Sequence, residues 1–336
     1  MTTTQHSKPP AGGVTKATTQ SPSWFKRMAP KLVPMLKRNG LLIFFAFLLV
    51  GFTIARPEFL SQANIRNILL SSSVIGILAL GQTVVMLTGG FDIGIAKTAV
   101  VAGMVVAIFG GLGPIALLLA IAASIVVGLV NGILISRAKV NPFVVTLGMY
   151  TILTSVALLV NDGGSVINLA PWLLGLVSWQ LFGLPGIIYW FAIIAVITHV
   201  ALAYTRWGGH IYAVGGNEEA ARLAGIKSSN VLASAYVVAA VVGGMAGVML
   251  TSRLGTASPV ALPGAELDSI AAVVIGGTKL SGGFGSIPRT LVGVLILMAL
   301  QSGLVLMGVN PYYQGMFKGA ILILAVAVDV IFSKKK

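Results

Sequence analysis

The chain has 336 residues, of which 57% are hydrophobic and only 9% are charged, whereas soluble domains carry about 25% charged residues. So few charges cannot cover a water-facing surface, and the composition instead predicts an all-α polytopic membrane protein. The absence of cysteine excludes disulfides, thiolate metal sites and a cysteine nucleophile. The net charge of +14 is typical of a membrane protein with a basic cytoplasmic side, so no nucleic-acid partner is expected.

Residues 1–40 form a separate region. They are rich in Thr, Ser, Pro and Gly, and they carry seven Lys and Arg residues but no acidic residue. This composition predicts a basic, disordered cytoplasmic tail. Within it, the apolar residues between Trp24 and Leu36 alternate with cations and could form a short helix on the membrane surface.

Ten apolar segments follow and predict about ten transmembrane helices, because a helix needs about 20 residues to cross the hydrocarbon core. The first and the eighth segments are short. We therefore predict one transmembrane domain over residues 41–332 and a basic C-terminal tail over residues 333–336. The predicted spans are Leu41–Ala55, Ile68–Thr88, Ile93–Phe109, Pro114–Ser136, Pro142–Val160, Gly186–Tyr204, Val231–Thr251, Leu267–Thr278, Thr290–Met307 and Tyr313–Phe332.

The distribution of basic residues predicts the orientation of these spans. With the N-terminus inside, 18 of the 22 Lys and Arg residues lie on the inner side, and only Arg56, Arg66 and Arg253 lie outside. Cytoplasmic loops carry such an excess of positive charge, so both termini are predicted to be cytoplasmic. Lys318 falls within the last span, where its side chain would extend toward the membrane interface.

This topology divides into two halves of five spans with opposite orientation, an arrangement that is common in transporters. The sequence VMLT ends the second span at Val85–Thr88 and the seventh span at Val248–Thr251. Asp92 follows the first copy, and Asp268 follows the second at a greater distance. Because the two copies share only four residues, the 5+5 inverted repeat is a hypothesis.

The longest inner loop, Thr205–Asn230, is predicted to contain a short charged helix. Asn217 is a good N-cap, and the two glutamates that follow it lie at the positive end of the helix dipole. Glu219 and Arg222 are three residues apart and can pair on one face, while Gly225 is a natural C-terminal stop. A helix of two turns is marginal alone in water, so another element must hold it.

Residues 219–225 read Glu-Ala-Ala-x-x-x-Gly, which resembles the E-A-A-x-x-x-G motif of permease subunits of ABC importers. The wider stretch IYAVGGNEEAARLAGI and the segments Asn141–Met149, Gly264–Ile287 and Pro311–Asp329 resemble the ribose-type monosaccharide permeases of the branched-chain transport superfamily. The resemblance covers most of the chain from about residue 56, although His210, Gly94 and Lys97 depart from the family pattern. In that family the motif is a coupling helix that docks in a cleft of the cytoplasmic ATPase. The resemblance implies this role for Asn217, Glu218, Glu219, Ala220, Ala221, Arg222 and Gly225.

Several other polar residues are candidates for function, and each has a structural alternative. The candidates for the translocation pathway are Gln82, Asp92, Asn131 and Asn141. Asp92 lies between two spans, where an acid is costly unless it is paired or hydrated, so it either caps the third helix or binds sugar hydroxyls. Gln82 and Asn131 either hold helices together or line the pathway. Glu266 and Asp268 either cap the eighth span or contact a sugar-delivering binding protein.

The resemblance implies a subunit of an ATP-driven importer of a small, ribose-like sugar that works by alternating access. The implied partners are a second permease copy or a close homologue, a cytoplasmic ATPase that binds ATP and Mg²⁺, and a periplasmic or lipid-anchored binding protein. The implied location is the lipid of the bacterial inner membrane. This chain itself is expected to bind no cofactor or metal and to carry no catalytic residue, because it lacks the motifs and histidine spacing of such sites.

Two alternatives remain open. An ion-coupled secondary transporter would need acids inside the membrane, and Asp92 is the candidate for that role. A non-transporting membrane anchor for a cytoplasmic complex would show no solute flux even with the ATPase and the binding protein supplied.

Overall fold

The computed structural model of the protein describes residues 2, 40–168, 170–310, 312–316, 319–320 and 323. The described chain is mostly helical (76%). The predicted basic tails, Lys318 and most of the predicted last span lie outside the described residues.

Helices account for almost all regular structure in the described part of the chain. They are α1 (Gly40–Ala55), α2 (Gln62–Leu87), α3 (Ile95–Ile108), α4 (Ile115–Ser136), α5 (Pro142–Leu159), α6 (Pro171–Ser178), α7 (Gly186–Tyr204), α8 (Arg206–Gly216), α9 (Glu218–Leu223), α10 (Ser228–Leu254), α11 (Ala265–Ile275) and α12 (Ile287–Leu306). Single 3₁₀ turns cover Pro57–Leu60 and Gly110–Leu112. Two-residue strands pair antiparallel: β1 (Val166–Ile167) with β4 (Thr256–Ala257), and β2 (Gln180–Leu181) with β3 (Leu184–Pro185).

Six helices of the described chain are long and apolar enough to cross a membrane: α2, α4, α5, α7, α10 and α12. The helices α1 and α3 are apolar but shorter. This pattern identifies a polytopic membrane protein. The predicted eighth span is corrected to α11, whose 11 residues reach only about 16 Å at 1.5 Å per residue, half of a hydrocarbon core of about 30 Å.

The core of the domain lies around α10, which packs against α2, α3 and α4. Glycines bring the backbones of these helices together. A Cβ on Gly247 would lie 1.7 Å from the carbonyl oxygen of Ala99, and one on Gly128 would lie 2.6 Å from the Cα of Val237. Small residues permit this close approach and so maximise van der Waals contact between membrane helices.

The helices α2 and α10 run antiparallel through this core. Gly81 of α2 packs on the backbone of Ala239, and Gly90, just beyond α2, faces the hydroxyl of Tyr236. Residue numbers therefore rise along one helix as they fall along the other. The first VMLT segment ends α2, and the second lies in the last turns of α10, so the two copies lie at opposite ends of the antiparallel pair.

The helices α11 and α12 pack on the C-terminal half of α2. The hydroxyls of Thr83 and Thr290 lie 2.8 Å apart, and α11 shares a buried apolar cluster with Ala79 and Met86. A Cβ on Gly293 of α12 would lie 2.0 Å from the carbonyl oxygen of Ala272. The half-length α11 therefore leaves the N-terminal part of α2 uncovered.

The loop Thr205–Asn230 holds more structure than its sequence predicts. Besides α9 it contains α8, which begins where the Thr205 hydroxyl accepts a hydrogen bond from the Gly208 amide at 3.2 Å, and α10 already begins at Ser228. The apolar side of α8, with Ile211 and Val214, is buried. That burial, in the packing of α8 against α7, α10 and α2, stabilises a glycine-rich segment that local propensity disfavours.

Candidate functional site

The helix α9 is capped at both ends by its own sequence. At its start, the Asn217 side chain accepts a hydrogen bond from the Ala220 amide at 2.9 Å. At its end, the Ile226 amide donates to the Ala221 carbonyl and the Gly225 amide donates to the Arg222 carbonyl, both at 3.0 Å. These two bonds form a Schellman motif, and Gly225 adopts the left-handed conformation (φ +83°) that the motif requires.

Two ion pairs fix the charged side chains of α9. Arg222 donates to both carboxylate oxygens of Glu219, at 3.1 and 2.5 Å. This hydrogen bond, together with the positive charge of Arg222, holds the pKa of Glu219 below its usual range. The pair is therefore intact at neutral pH and is lost as the pH falls through that lowered pKa. In the second pair, Lys139 from the turn between α4 and α5 lies 2.9 Å from Glu218.

One side of α9 faces inward and the other is exposed. Ala221 is buried against the domain core, whereas Leu223 is 77% exposed. The side chains of Glu219 and Arg222 are also largely exposed. An exposed leucine beside an ordered ion pair, on a helix whose opposite face is fixed to the domain, is a surface suited to contact with another protein.

The preceding helix α8 joins α9 to the transmembrane helices through backbone contacts. A Cβ on Gly215 would lie 1.7 Å from the Leu87 carbonyl oxygen and 2.8 Å from the Gly283 nitrogen. The Gly283 amide donates to the Leu87 carbonyl at 2.9 Å, and the Tyr212 hydroxyl donates to the Gly285 carbonyl at 3.0 Å. We call the contact of residues 87–89, 215 and 281–283 the glycine junction. It connects α8 to the end of α2 and to the turn before α12.

Gln82 and Asp92 lie together beside the glycine junction, and both are fully buried. With its amide oriented to satisfy both of its polar atoms, Gln82 donates to the Asp92 carbonyl and accepts from the Asp92 amide, each at 3.1 Å. The prediction that Asp92 caps the third helix is wrong, because the N-cap of α3 is Gly94 and no side chain caps the helix. Among the described residues, the hydroxyl of Tyr236 has no hydrogen-bond partner, and no side chain donates to the carboxylate of Asp92, which the backbone amide of Gly94 approaches.

Asn131 and Asn141 lie apart from that pair and from each other. Asn131 is fully buried within α4, and neither of its amide atoms has a hydrogen-bond partner among the described residues. Asn141 is exposed and caps α5, where it accepts a hydrogen bond from the Phe143 amide at 2.8 Å. The four candidates for the translocation pathway therefore do not form a single site.

Glu266 and Asp268 lie in the first turn of α11, but neither caps it. The N-cap is Gly264, which has a left-handed conformation and no capping side chain. Glu266 is 8% exposed, while Asp268 lines a pocket of about 280 Å³ together with Gly264 and Leu267. The structure thus separates the two acids, one inside the domain and one on a pocket wall.

Sequence reasoning missed Lys139, Tyr212 and Gly215 as parts of this site. Lys139 and Glu218 are 79 positions apart, and the partner of Tyr212 is 73 positions away. No local pattern signals contacts over such separations.

The several membrane-spanning helices define a polytopic membrane protein with a short, capped, exposed helix at one end, and family comparison identifies it as a transport permease. Residues 64–326 match the family described as the permease component of branched-chain amino acid transport systems. The match covers most of the chain, and the chain belongs to this family. Proteins of this family are transport subunits and not enzymes.

Individual relatives are sugar permeases by name. The ribose import permease protein of Bacillus subtilis (strain 168) is 39% identical over 91% of this chain and 94% of its own length. The galactose/methyl galactoside import permease protein of Escherichia coli (strain K12) is 35% identical over 90% and 96%. The L-arabinose ABC transporter permease protein of Azospirillum brasilense is 33% identical over 88% of each chain. No solved structure gives a significant match.

Proposed function

We propose that the chain is the membrane-spanning permease subunit of an ATP-driven importer of a small, ribose-like sugar. The observation that carries this proposal is α9, a helix capped at both ends, exposed at Leu223 and joined through α8 to α2 and α12. The relatives named for ribose, galactose and arabinose support the sugar class.

In the proposed mechanism a separate cytoplasmic ATPase binds ATP and Mg²⁺ and receives α9 in a cleft. The docking residues are Asn217, Glu218, Glu219, Ala220, Ala221, Arg222 and Gly225. ATP binding closes the ATPase dimer, and α8 and α9 move as a unit that displaces the end of α2 and the turn before α12. The permease alternates between a state open to the outside and a state open to the cytoplasm. ATP shifts the equilibrium between these states because the ATPase binds ATP with different affinity in each of them.

The proposed assembly contains two permease copies in a bacterial inner membrane. Each copy would have ten membrane segments in a 5+5 inverted repeat, of which the eighth is the half-length α11, with both termini in the cytoplasm and a binding protein on the outer side. The antiparallel packing of α2 and α10 supports the repeat. Of the two acids in α11, Asp268 is the better candidate for a contact with the binding protein, since it lines a pocket.

A second candidate function is ion-coupled transport, and the state of Asp92 favours it. Its carboxylate is fully buried, and no cation among the described residues forms an ion pair with it. A buried acid of this kind can carry a proton or hold a cation within a membrane domain.

Uptake in proteoliposomes separates the two functions. The permease would be reconstituted with its ATPase and its binding protein, with ATP inside the vesicles and radiolabelled ribose, galactose or arabinose outside. We expect uptake that requires ATP and survives an ionophore. Loss of uptake when the ion gradient is collapsed and ATP is intact would contradict the ATP-driven importer and support ion coupling.

A further inference from the structure

A polar groove opens between the N-terminal part of α2 and the C-terminal turns of α12. Its volume is about 300 Å³, at the lower end of the range of about 300–1,000 Å³ for small-molecule pockets. It lies at the end of α2 opposite the glycine junction, beyond the part of α2 that α11 covers. We call it the α2–α12 groove. Its polar lining residues are Asn64, Asn67, Ser71, Gln301 and Ser302.

Three polar residues of α2 form a stripe along one helix face. Asn64, Asn67 and Ser71 are spaced three and four positions apart, which places their side chains one above another. Asn67 and Ser71 are exposed, and Gln301 on α12 is half-buried. None of these last three side chains makes a hydrogen bond to the described residues, so their polar atoms are available to a ligand.

This surface differs from the lipid-facing surfaces of the same domain. The exposed large residues of α4 are all apolar: Ile115, Leu118, Leu119, Val126, Leu129, Val130, Ile133 and Leu134. An amide that faces hydrocarbon without a hydrogen-bond partner costs several kcal/mol, about 4–8 on a water-to-cyclohexane scale. The amides of Asn67 and Gln301 are therefore placed for water or a polar solute and not for lipid.

Two hydrogen bonds hold the groove in shape. The Ser302 hydroxyl of α12 donates to the Asn64 side-chain oxygen at 2.7 Å. The Asn64 side-chain nitrogen donates to the Phe59 carbonyl at 2.8 Å. Asn64 thereby ties α12 to the 3₁₀ turn that precedes α2, and the wall of the groove is fixed before any ligand arrives, which lowers the entropic cost of binding.

The chemistry of the lining indicates the class of ligand. Among the described residues, the lining contains no charged side chain, and each Asn or Gln amide offers both donors and an acceptor. A hydroxyl group also both donates and accepts hydrogen bonds, so these amides can form hydrogen bonds with neighbouring hydroxyls of one solute. The apolar residues Ile68, Met298 and Val305 also line the groove and suit the C–H surface of a sugar ring.

We propose that the α2–α12 groove binds a single uncharged sugar during translocation, with Asn67, Ser71 and Gln301 contacting its hydroxyls. This inference rests on the proposed function and adds the contact residues, which differ from the four polar residues that the sequence singles out. The glycine junction lies at the other end of α2, so the groove is on the side from which a binding protein would deliver sugar.

The absence of cysteine from the chain permits a direct test by single-cysteine labelling. Ser71→Cys places one thiol in the groove, and Ala122→Cys places one on the exposed apolar face of α4 as the matched control. Each permease would be reconstituted with its ATPase and binding protein and treated from outside with a membrane-impermeant methanethiosulfonate. Folding is checked by size-exclusion chromatography in detergent.

We expect Ser71→Cys to react at least tenfold faster than Ala122→Cys, and a transported sugar to slow the reaction of Ser71→Cys alone. Asn67→Leu, which removes one amide, should lower sugar uptake about two- to tenfold, as expected for the loss of one hydrogen bond. Uptake by Ala122→Cys should equal that of the unsubstituted importer.

Three outcomes would overturn the proposal. The first is that both thiols react slowly and at equal rates. The second is that none of ribose, galactose and arabinose changes the labelling rate of Ser71→Cys. The third is that a disulfide forms between the Ser71→Cys residues of two permease copies. Failure of the unsubstituted importer to take up any of these sugars would contradict the proposed function itself. Normal uptake with an unreactive Ser71→Cys would contradict the groove alone.

Discussion

At the scale of single residues, Gly215 has no room for a side chain. Replacing it with Ala would force the new Cβ against the Leu87 carbonyl, and such overpacking costs about 1–3 kcal/mol. Gly216 is the matched control, since nothing lies within 4 Å of a Cβ there. We expect G215A to lower the Tm of the detergent-solubilised protein and to reduce ATP-driven uptake, whereas G216A should leave both unchanged. Equal Tm values for the two variants would show that the glycine junction can relax.

The ion pair of Lys139 and Glu218 can be tested by charge reversal. Both side chains are about half exposed or more, so the pair contributes little to stability, but it joins the turn before α5 to α9. We expect Lys139→Glu to lower the amount of sugar imported per ATP hydrolysed without a measurable change in Tm. The double variant with Glu218→Lys should recover part of the loss. A double variant no better than the single variants would argue against a role for this contact in coupling.

At the scale of the element, the end of α9 depends on the left-handed conformation of Gly225. A valine there must adopt φ near +83°, which costs roughly 1–2 kcal/mol for a residue with a Cβ, and its side chain would project from the docking surface. We expect Gly225→Val to uncouple the ATPase from transport while the permease remains folded in the membrane.

Gly113 provides a control for Gly225→Val. It also has positive φ and free space around its Cβ position, but it lies between α3 and α4, at the end of the domain opposite α9. Gly113→Val carries at least as much backbone strain, since Gly113 has φ +65° and ψ −146°, a region almost restricted to glycine, and it should leave coupling unchanged. Normal transport and unchanged co-purification of the ATPase with Gly225→Val, or the same result with Glu219→Lys, would refute the coupling role of α9.

The elements also show which parts of the structure can be predicted from sequence. The helix α9 is predictable because its caps, Asn217 and Gly225, lie within a few residues of the groups that they bind. The helix α8 is not, because its stability comes from burial of Ile211 and Val214 in the domain core, where α8 packs against α7, α10 and α2. The same limit applies to the candidate site: the docking helix can be found from its motif, whereas its connection to Leu87 and Gly283 requires the fold.

At the scale of the whole molecule, the α9 end of the domain is predicted to face the cytoplasm. The turn at Asp162 follows α5 and lies at the opposite end from Lys139, which precedes α5 and contacts Glu218. In right-side-out vesicles we expect Asp162→Cys to react with an impermeant thiol reagent. Lys227→Cys, in the loop after α9, should react only after the membrane is permeabilised. Reaction of both thiols from the same side would contradict the proposed topology.

The half-length of α11 illustrates why composition alone misjudges such a domain. Its residues are as apolar as those of a full span, so a hydropathy pattern includes it among the spans, but Gly264 and Gly276 bound a helix of only 11 residues. Whether an apolar segment crosses the membrane or stops within it depends on glycines and packing partners, and these are visible only in three dimensions.

The glycine junction also limits how permeases of this family can be recombined. Three segments far apart in sequence meet there through backbone atoms, with Gly215 against Leu87 and Gly283, so no side chain can adjust to absorb a mismatch. A chimera that receives only residues 205–227 from a relative would carry a docking helix without its fitted receptor surface. Specificity for a different ATPase could be transplanted only as a unit, by moving residues 87–90 and 281–285 together with the loop.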